Sequence, residues 1–147
     1  MKKILFVCHG NICRSPAAEF ICKKYLKEIG RDSEFSVSSY AVSLEEIGND
    51  IYPPMKKELT SKAIPFERHY ATRITQKDYD EADYVFYMDE SNLRYLEYLL
   101  KPPYNKLFPI NFYTKKIPYI EDPWYTDRYS LVVEEISECL VDIFNNI

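Results

Sequence analysis

The apolar positions of this chain fall into short unbroken runs that alternate with stretches of helical spacing. Lys3 to Val7 is a compact apolar run, the pattern of a buried strand. Ser15-Pro16 then reads as a helix start, because a proline in the first turn lacks only an N–H that has no partner there. Ala17, Ala18, Phe20, Ile21, Tyr25 and Leu26 recur at helical spacing, and Gly30 supplies the stop. Phe35 to Ser38 alternates as a strand should. After an irregular stretch over 40–52, Pro53-Pro54 opens a second helix that runs to about Ser61. Asp83 to Met88 predicts a third strand, and Asp89, an N-cap candidate, begins a helix through Leu100. Lys106 to Ile110 predicts a last strand, weakened by Pro109. Ile117 to Asp127 reads as a loop, and Tyr129 to Phe144 as a closing amphipathic helix. Strands alternating with helices predict an α/β fold with an open, mostly parallel sheet. Ligands in such sheets sit beyond the carboxyl ends of the strands, so the segment after the first strand is the place to look.

Composition narrows what that segment has to do. With 147 residues the chain suits a single domain, 1–147, and its three glycines include no linker that would mark an internal boundary. Apolar residues at 46% and charged ones at 29% favour a packed core over disorder. The net charge of −4, from 19 basic and 23 acidic residues, excludes a general pull toward nucleic acid or anionic membrane. Any phosphate binding therefore needs a local device. No apolar run approaches the roughly 18–20 residues of a membrane span. The opening apolar stretch ends at His9, too short for a signal-peptide core, so a cytoplasmic protein is expected. Cys8, Cys13, Cys22 and Cys139 then read as thiols in a reducing compartment. The 14 tyrosines read as amphipathic packing residues.

The local device is Cys8-His9-Gly10-Asn11-Ile12-Cys13-Arg14-Ser15, a cysteine, five residues, then arginine and serine. Between a strand and a helix, five intervening residues let the backbone curl into a nest of inward N–H groups at the positive end of a helix dipole. Such a nest suits a tetrahedral dianion such as phosphate. Arg14 can add a two-pronged grip on phosphate oxygens that lysine cannot match. The same field favours the Cys8 thiolate as a nucleophile, and the Ser15 hydroxyl can donate to its sulfur. Gly10 is expected where a Cβ would obstruct the turn, and Asn11 where left-handed geometry is needed. A zinc site of Cys8, His9 and Cys13 lacks a fourth ligand.

A thiolate attacking phosphorus needs an acid for its leaving group and a base for the water that follows, and one carboxyl can serve both. Asp122, in Tyr119-Ile120-Glu121-Asp122-Pro123-Trp124-Tyr125, has the best setting, with Trp124 and Tyr125 as flat walls for an aryl group. Taken alone, the same residues read equally well as an Asp-Pro turn with packed aromatics.

Val7 to Pro16 resembles the signature of the low-molecular-weight protein tyrosine phosphatases. The resemblance runs on through Glu46-Ile47-Gly48-Asn49, Met88 to Arg94, and Glu121 to Tyr125 in the family's order. It implies a three-layer domain with a four-stranded parallel sheet flanked by helices, Cys8 as nucleophile, Arg14 as phosphate clamp, and Asp122 as acid and then base. It further implies that Ser39 and His69 hold Asn11, that no metal or other cofactor takes part, and that the partner is a phosphotyrosine protein. Substrate contacts would come from His9, Gly10, Asn11, Ile12, Cys13, Trp124 and Tyr125, with inorganic phosphate or a similar oxyanion fitting the same loop. Cys13 is either a plain loop residue or a partner that traps oxidised Cys8 as a disulfide. Three features depart from the family pattern. Glu45 stands where many members have an aromatic wall, Tyr40 replaces a small residue, and Arg73 lies one place late after His69.

Other readings exist on the same loop. Arsenate reductases need further cysteines, and residues 23–138 contain none. Protein-arginine phosphatases typically carry threonine where Ile12 stands, and the bulk of Ile12 favours phosphotyrosine. A phosphate-binding or redox-sensing module would not need Asp122.

Overall fold

The protein, described over residues 1–147 by a computed structural model, is built on one four-stranded parallel sheet. Its strands are β1 (Lys2–Cys8), β2 (Phe35–Ala41), β3 (Tyr84–Tyr87) and β4 (Leu107–Pro109), in the order β2-β1-β3-β4. Strand β1 is central and buried on both faces, which explains its unbroken apolar run. Ile4, Phe6 and Cys8 face one core, shared with α1 (Arg14–Glu28), α2 (Pro53–Ser61) and α6 (Tyr129–Phe144). Leu5 and Val7 face a second core with Ile74, Tyr79, Leu96 and Leu100. That layer is supplied by α3 (Gln76–Glu81) and α4 (Glu90–Leu99). The result is the three-layer arrangement of helices on both faces of a parallel sheet.

The elements differ from the sequence pattern where contacts outweigh local signal. β2 runs to Ala41, beyond the alternating Phe35–Ser38, because Ala41 pairs with Cys8 and also bridges to Arg73. This extension places Ser39 beside Phe6. Helix α1 begins at Arg14, one residue before the expected start, so Arg14 rises straight out of the loop. α4 is capped by Asp89, whose side chain accepts from Asn92 N while Asn92 answers in kind. Two short helices have no counterpart in the sequence reading. α3 is closed by a box between Thr75 and Asp78, and α5 (Pro123–Thr126) forms inside the expected 117–127 loop. No helix is long and apolar enough to cross a membrane.

Candidate active site

Parallel strands deliver their carboxyl ends to one edge of the sheet, and the loop 8–15 leaves β1 there to enter α1. Within the loop, Asn11 takes φ 61°, the left-handed conformation that asparagine tolerates best among residues with a side chain. The backbone thereby turns inward, and the N–H groups of Asn11 and Ser15 approach Cys8 Sγ at 3.3 and 3.4 Å. Gly10 does not provide this turn, because its φ is not positive. A Cβ there would meet the Cγ of Glu46 at 3.3 Å, a flexible side chain rather than backbone.

The side chains beneath the loop are locked in one hydrogen-bonding sense. Asn11 Oδ1 accepts the Thr72 N–H at 3.2 Å, which fixes the direction of its amide. His69 Nε2 lies 2.8 Å from Asn11 O and 3.0 Å from Asn11 Oδ1, both acceptors, so Nε2 carries the proton. Asn11 Nδ2 therefore donates to Ser15 Oγ at 2.7 Å and to Ser39 Oγ at 3.1 Å. Ser39 in turn donates its hydroxyl to buried Glu19 Oε1 at 2.7 Å. Ser15 Oγ, which accepts from Asn11, lies 3.0 Å from Cys8 Sγ, with either atom able to donate, and 3.4 Å from Tyr40 O. Two N–H groups and a hydroxyl thus converge on one sulfur.

Arg14 is 2% exposed and lies between two carboxylates. Its Nη1 donates to Asp89 Oδ2 at 2.7 Å and to Ile120 O at 2.8 Å, while Nη2 is 3.6 Å from Asp122 Oδ2. Burial pulls its pKa down, but Cys8, Asp89 and Asp122 together outweigh that and raise it. Asp122 caps α5 by accepting the Trp124 N–H at 3.0 Å. Glu121 is held by Arg128 at 2.9 Å, and Trp124 packs on Tyr52 with ring centroids 4.9 Å apart. Cys13 is the N-cap of α1; burial first, then the negative charges of Cys8 and Asp122, push its thiol far above the ordinary range. The Cys13 thiol is thereby kept protonated, while N–H groups gather around Cys8 Sγ.

Cys8, His9, Gly10, Ile12, Cys13, Arg14, Asp122, Trp124 and Tyr125 all line one cavity of about 160 Å³, joined by Glu45 and Glu46. Asn11, Ser15, Ser39 and His69 lie under the loop rather than in the cavity. Trp124 is 51% and Tyr125 83% exposed, so they form its outer wall. His9 is turned to the rim, where Nε2 meets Glu45 Oε2 at 2.8 Å. Tyr40 contributes its carbonyl here, while its ring packs in the second core. Arg73 enters only through the bridge to Ala41.

Sequence reasoning missed Asp89 as the partner of Arg14, Glu19 behind Ser39, Thr72 behind Asn11, and Tyr52 behind Trp124. Asp89 alone left a signal, since it follows β3 at the same sheet edge as Cys8. No group of three or more His, Cys, Asp or Glu side chains is placed to hold a metal ion.

A cysteine-centred anion cradle at the carboxyl edge of a small parallel sheet defines a class: an α/β phosphatase of one domain. Comparison with known proteins carries this further. Residues 3–147 match the family model described as low molecular weight phosphotyrosine protein phosphatase. A relative of that name from Gallus gallus is 35% identical, over 95% of this chain and 91% of its own length. The crystal structure of YfkJ from Bacillus subtilis superposes with a TM-score of 0.92 at 26% identity, covering 100% of this chain and 94% of the other. A protein tyrosine phosphatase from Entamoeba histolytica, with Hepes in its active site, gives a TM-score of 0.84 at 28% identity over 96% of this chain and 95% of the other. The chain belongs to the low molecular weight phosphotyrosine protein phosphatase family, and by class it is a protein tyrosine phosphatase.

Proposed function

We propose that the protein, as one domain over 1–147, hydrolyses phosphotyrosine and similar aryl phosphate monoesters through a phosphocysteine intermediate. The observation that carries this reading is the convergence of Cys8, Arg14 and Asp122 on one cavity. In the first step Cys8 Sγ attacks phosphorus, the bond from phosphorus to the phenolic oxygen breaks, and Asp122 gives its proton to that oxygen. In the second step Asp122 takes a proton from water, the water oxygen bonds to phosphorus, the phosphorus–sulfur bond breaks, and phosphate leaves. The Ser15 hydroxyl and the converging N–H groups stabilise sulfur as it departs with its electron pair. Arg14 and the loop amides stabilise the equatorial oxygens, the term expected to dominate. Asp89 and Ile120 O hold the Arg14 fork in place. Trp124 and Tyr125 flank the aryl ring. Nothing in these steps calls for a metal. The four free cysteines support a reducing, cytoplasmic setting.

The test is hydrolysis of phosphotyrosine and phosphoarginine peptides side by side, in excess chelator, by the wild type and Cys8→Ser. Release from phosphotyrosine alone, lost in Cys8→Ser, is the expected result and makes Ile12 the selector. A preference for phosphoarginine keeps the chemistry and overturns the substrate. Phosphate binding without turnover of either removes the enzyme reading.

A further inference from the structure

The mouth of the cavity carries a charge pattern that the two steps above do not use. A phosphate dianion is drawn into a site whose rim is acidic. Besides Asp122, the lining includes Glu45 and Glu46, and its only basic side chains are buried Arg14 and His9. Arg14 is buried at the floor, held by Asp89 and Ile120 O, and its charge is directed at the phosphate and not at the rim. His9 engages only Oε2 of Glu45, whose side chain is 69% exposed, and Oε1 has no protein partner. Glu46 accepts from Asn49 Nδ2 at 2.7 Å through Oε2, again leaving Oε1 free. The guanidinium groups nearby are already paired, Arg128 with Glu121 and Arg68 with Asp50. A second feature of the same loop is apolar: Leu44 and Ile47, beside the two glutamates, are exposed.

Resting on the phosphotyrosine reading, we infer that this rim selects phosphotyrosines flanked by lysine or arginine. With the phenyl ring seated against Trp124 and Tyr125, the peptide backbone crosses the mouth, and successive Cα atoms lie only about 3.8 Å apart. A basic residue next to the phosphotyrosine can lay its aliphatic stem on Leu44 or Ile47 and bring its charged head to Glu45 or Glu46. An acidic neighbour at the same place meets two carboxylates, each with one oxygen left without a protein partner. The protein's net charge of −4 adds to the contrast, since a peptide rich in negative charge is repelled before it arrives. Specificity then comes as much from what the rim rejects as from what it attracts.

The experiment compares kcat/KM for three phosphotyrosine peptides that differ only in flanking lysine, alanine or glutamate. They are assayed with wild type and Glu45→Gln/Glu46→Gln, at low and at high salt. Ratios between peptides on one enzyme cancel any difference in its active fraction. In the wild type the lysine-flanked peptide is expected to exceed the glutamate-flanked one by about five- to twentyfold at low salt, the scale of two exposed charge pairs and their reversal. The ratio should shrink at high salt, where screening shortens to a few ångströms, and approach one in the double variant. Equal turnover of the three peptides by wild type overturns the inference and leaves the phosphotyrosine reading intact. A preference that survives unchanged in the double variant also overturns it, by assigning selection elsewhere. If none of the three peptides is cleaved while phenyl phosphate is, the phosphotyrosine reading itself fails, and this inference with it.

Discussion

Asn11 combines a left-handed backbone with a side chain that meets four groups: Thr72 N, His69, Ser15 and Ser39. Both properties can be separated by substitution. Asn11→Gly removes the side chain but accepts the backbone; Asn11→Ala removes the side chain and strains the backbone. Both should lower stability, because buried donors and acceptors lose partners at about 1–3 kcal/mol. Alanine should be worse than glycine by about 1 kcal/mol, the cost of a Cβ in that region, read as the difference in urea midpoints. Equal midpoints would mean that the loop relaxes out of its left-handed turn. At Asp122 the expectation is kinetic. Asp122→Asn should cut kcat/KM on phenyl phosphate by about 10²–10⁴-fold, the usual contribution of general acid catalysis. On p-nitrophenyl phosphate, whose leaving group needs little protonation, the loss in kcat/KM should be smaller. An equal loss in kcat/KM on both esters would mean that Asp122 does not protonate the leaving group.

The loop 43–52, α2 and the 66–70 segment meet on Asp50. Its Oδ1 accepts from Ile51 N at 2.7 Å and His69 N at 3.0 Å, and Lys56 and Arg68 approach Oδ2. Burial raises its pKa, but these bonds outweigh burial and drive the carboxyl well below its ordinary value. A carboxylate depressed on folding stabilises fully above its unfolded pKa of about 3.9, and that contribution fades as pH falls further. Asp50→Asn should therefore destabilise by about 1–3 kcal/mol near pH 7. The gap to wild type should narrow below about pH 4, in urea titrations across pH. From the end of the same loop, Tyr52 donates its backbone N–H to Ile12 O and packs its ring at a tilt against Trp124, so it links the cradle to α5. Tyr52→Ala should cost about two- to tenfold in kcat/KM, since an aromatic pair is worth about 0.5–1.5 kcal/mol. The loss should be larger for phenyl than for p-nitrophenyl phosphate, because what loosens is Asp122.

These elements were unequally legible. Strand β1 and helix α6 announce themselves because burial imposes one continuous pattern on many residues. The six residues of α3 bury only Tyr79, so hydrophobic periodicity has nothing to repeat, and only the Thr75–Asp78 box betrays it. Cys8 and Arg14 were legible because eight consecutive positions, Cys8 to Ser15, make up the loop itself. Thr72, Glu19 and Asp89 reach it by tertiary contact across the sheet, and no local spacing encodes that β1 lies between β2 and β3.

At the scale of the molecule, the proposed oxyanion site of this acidic chain sets backbone N–H groups beside one buried guanidinium, Arg14, instead of a surface field of basic side chains. β1 ends and α1 begins at the same loop, so the central strand and a buried helix both hold it in place. An oxyanion bound there should therefore stabilise the whole fold. Phosphate at 100 times its Kd contributes about 2.7 kcal/mol if it binds only the folded state. For a chain of 147 residues this corresponds to about 5–11 °C in Tm, at about 2–4 °C per kcal/mol. Cys8→Ser should keep most of the rise, because the amides and Arg14 remain, although turnover is lost. Arg14→Lys should lose most of it, since lysine cannot reach Asp89 and the anion with a planar fork. Sodium chloride at matched ionic strength should give no comparable rise. If chloride stabilises equally, screening of the excess negative charge is the cause, and the cradle is not where phosphate acts.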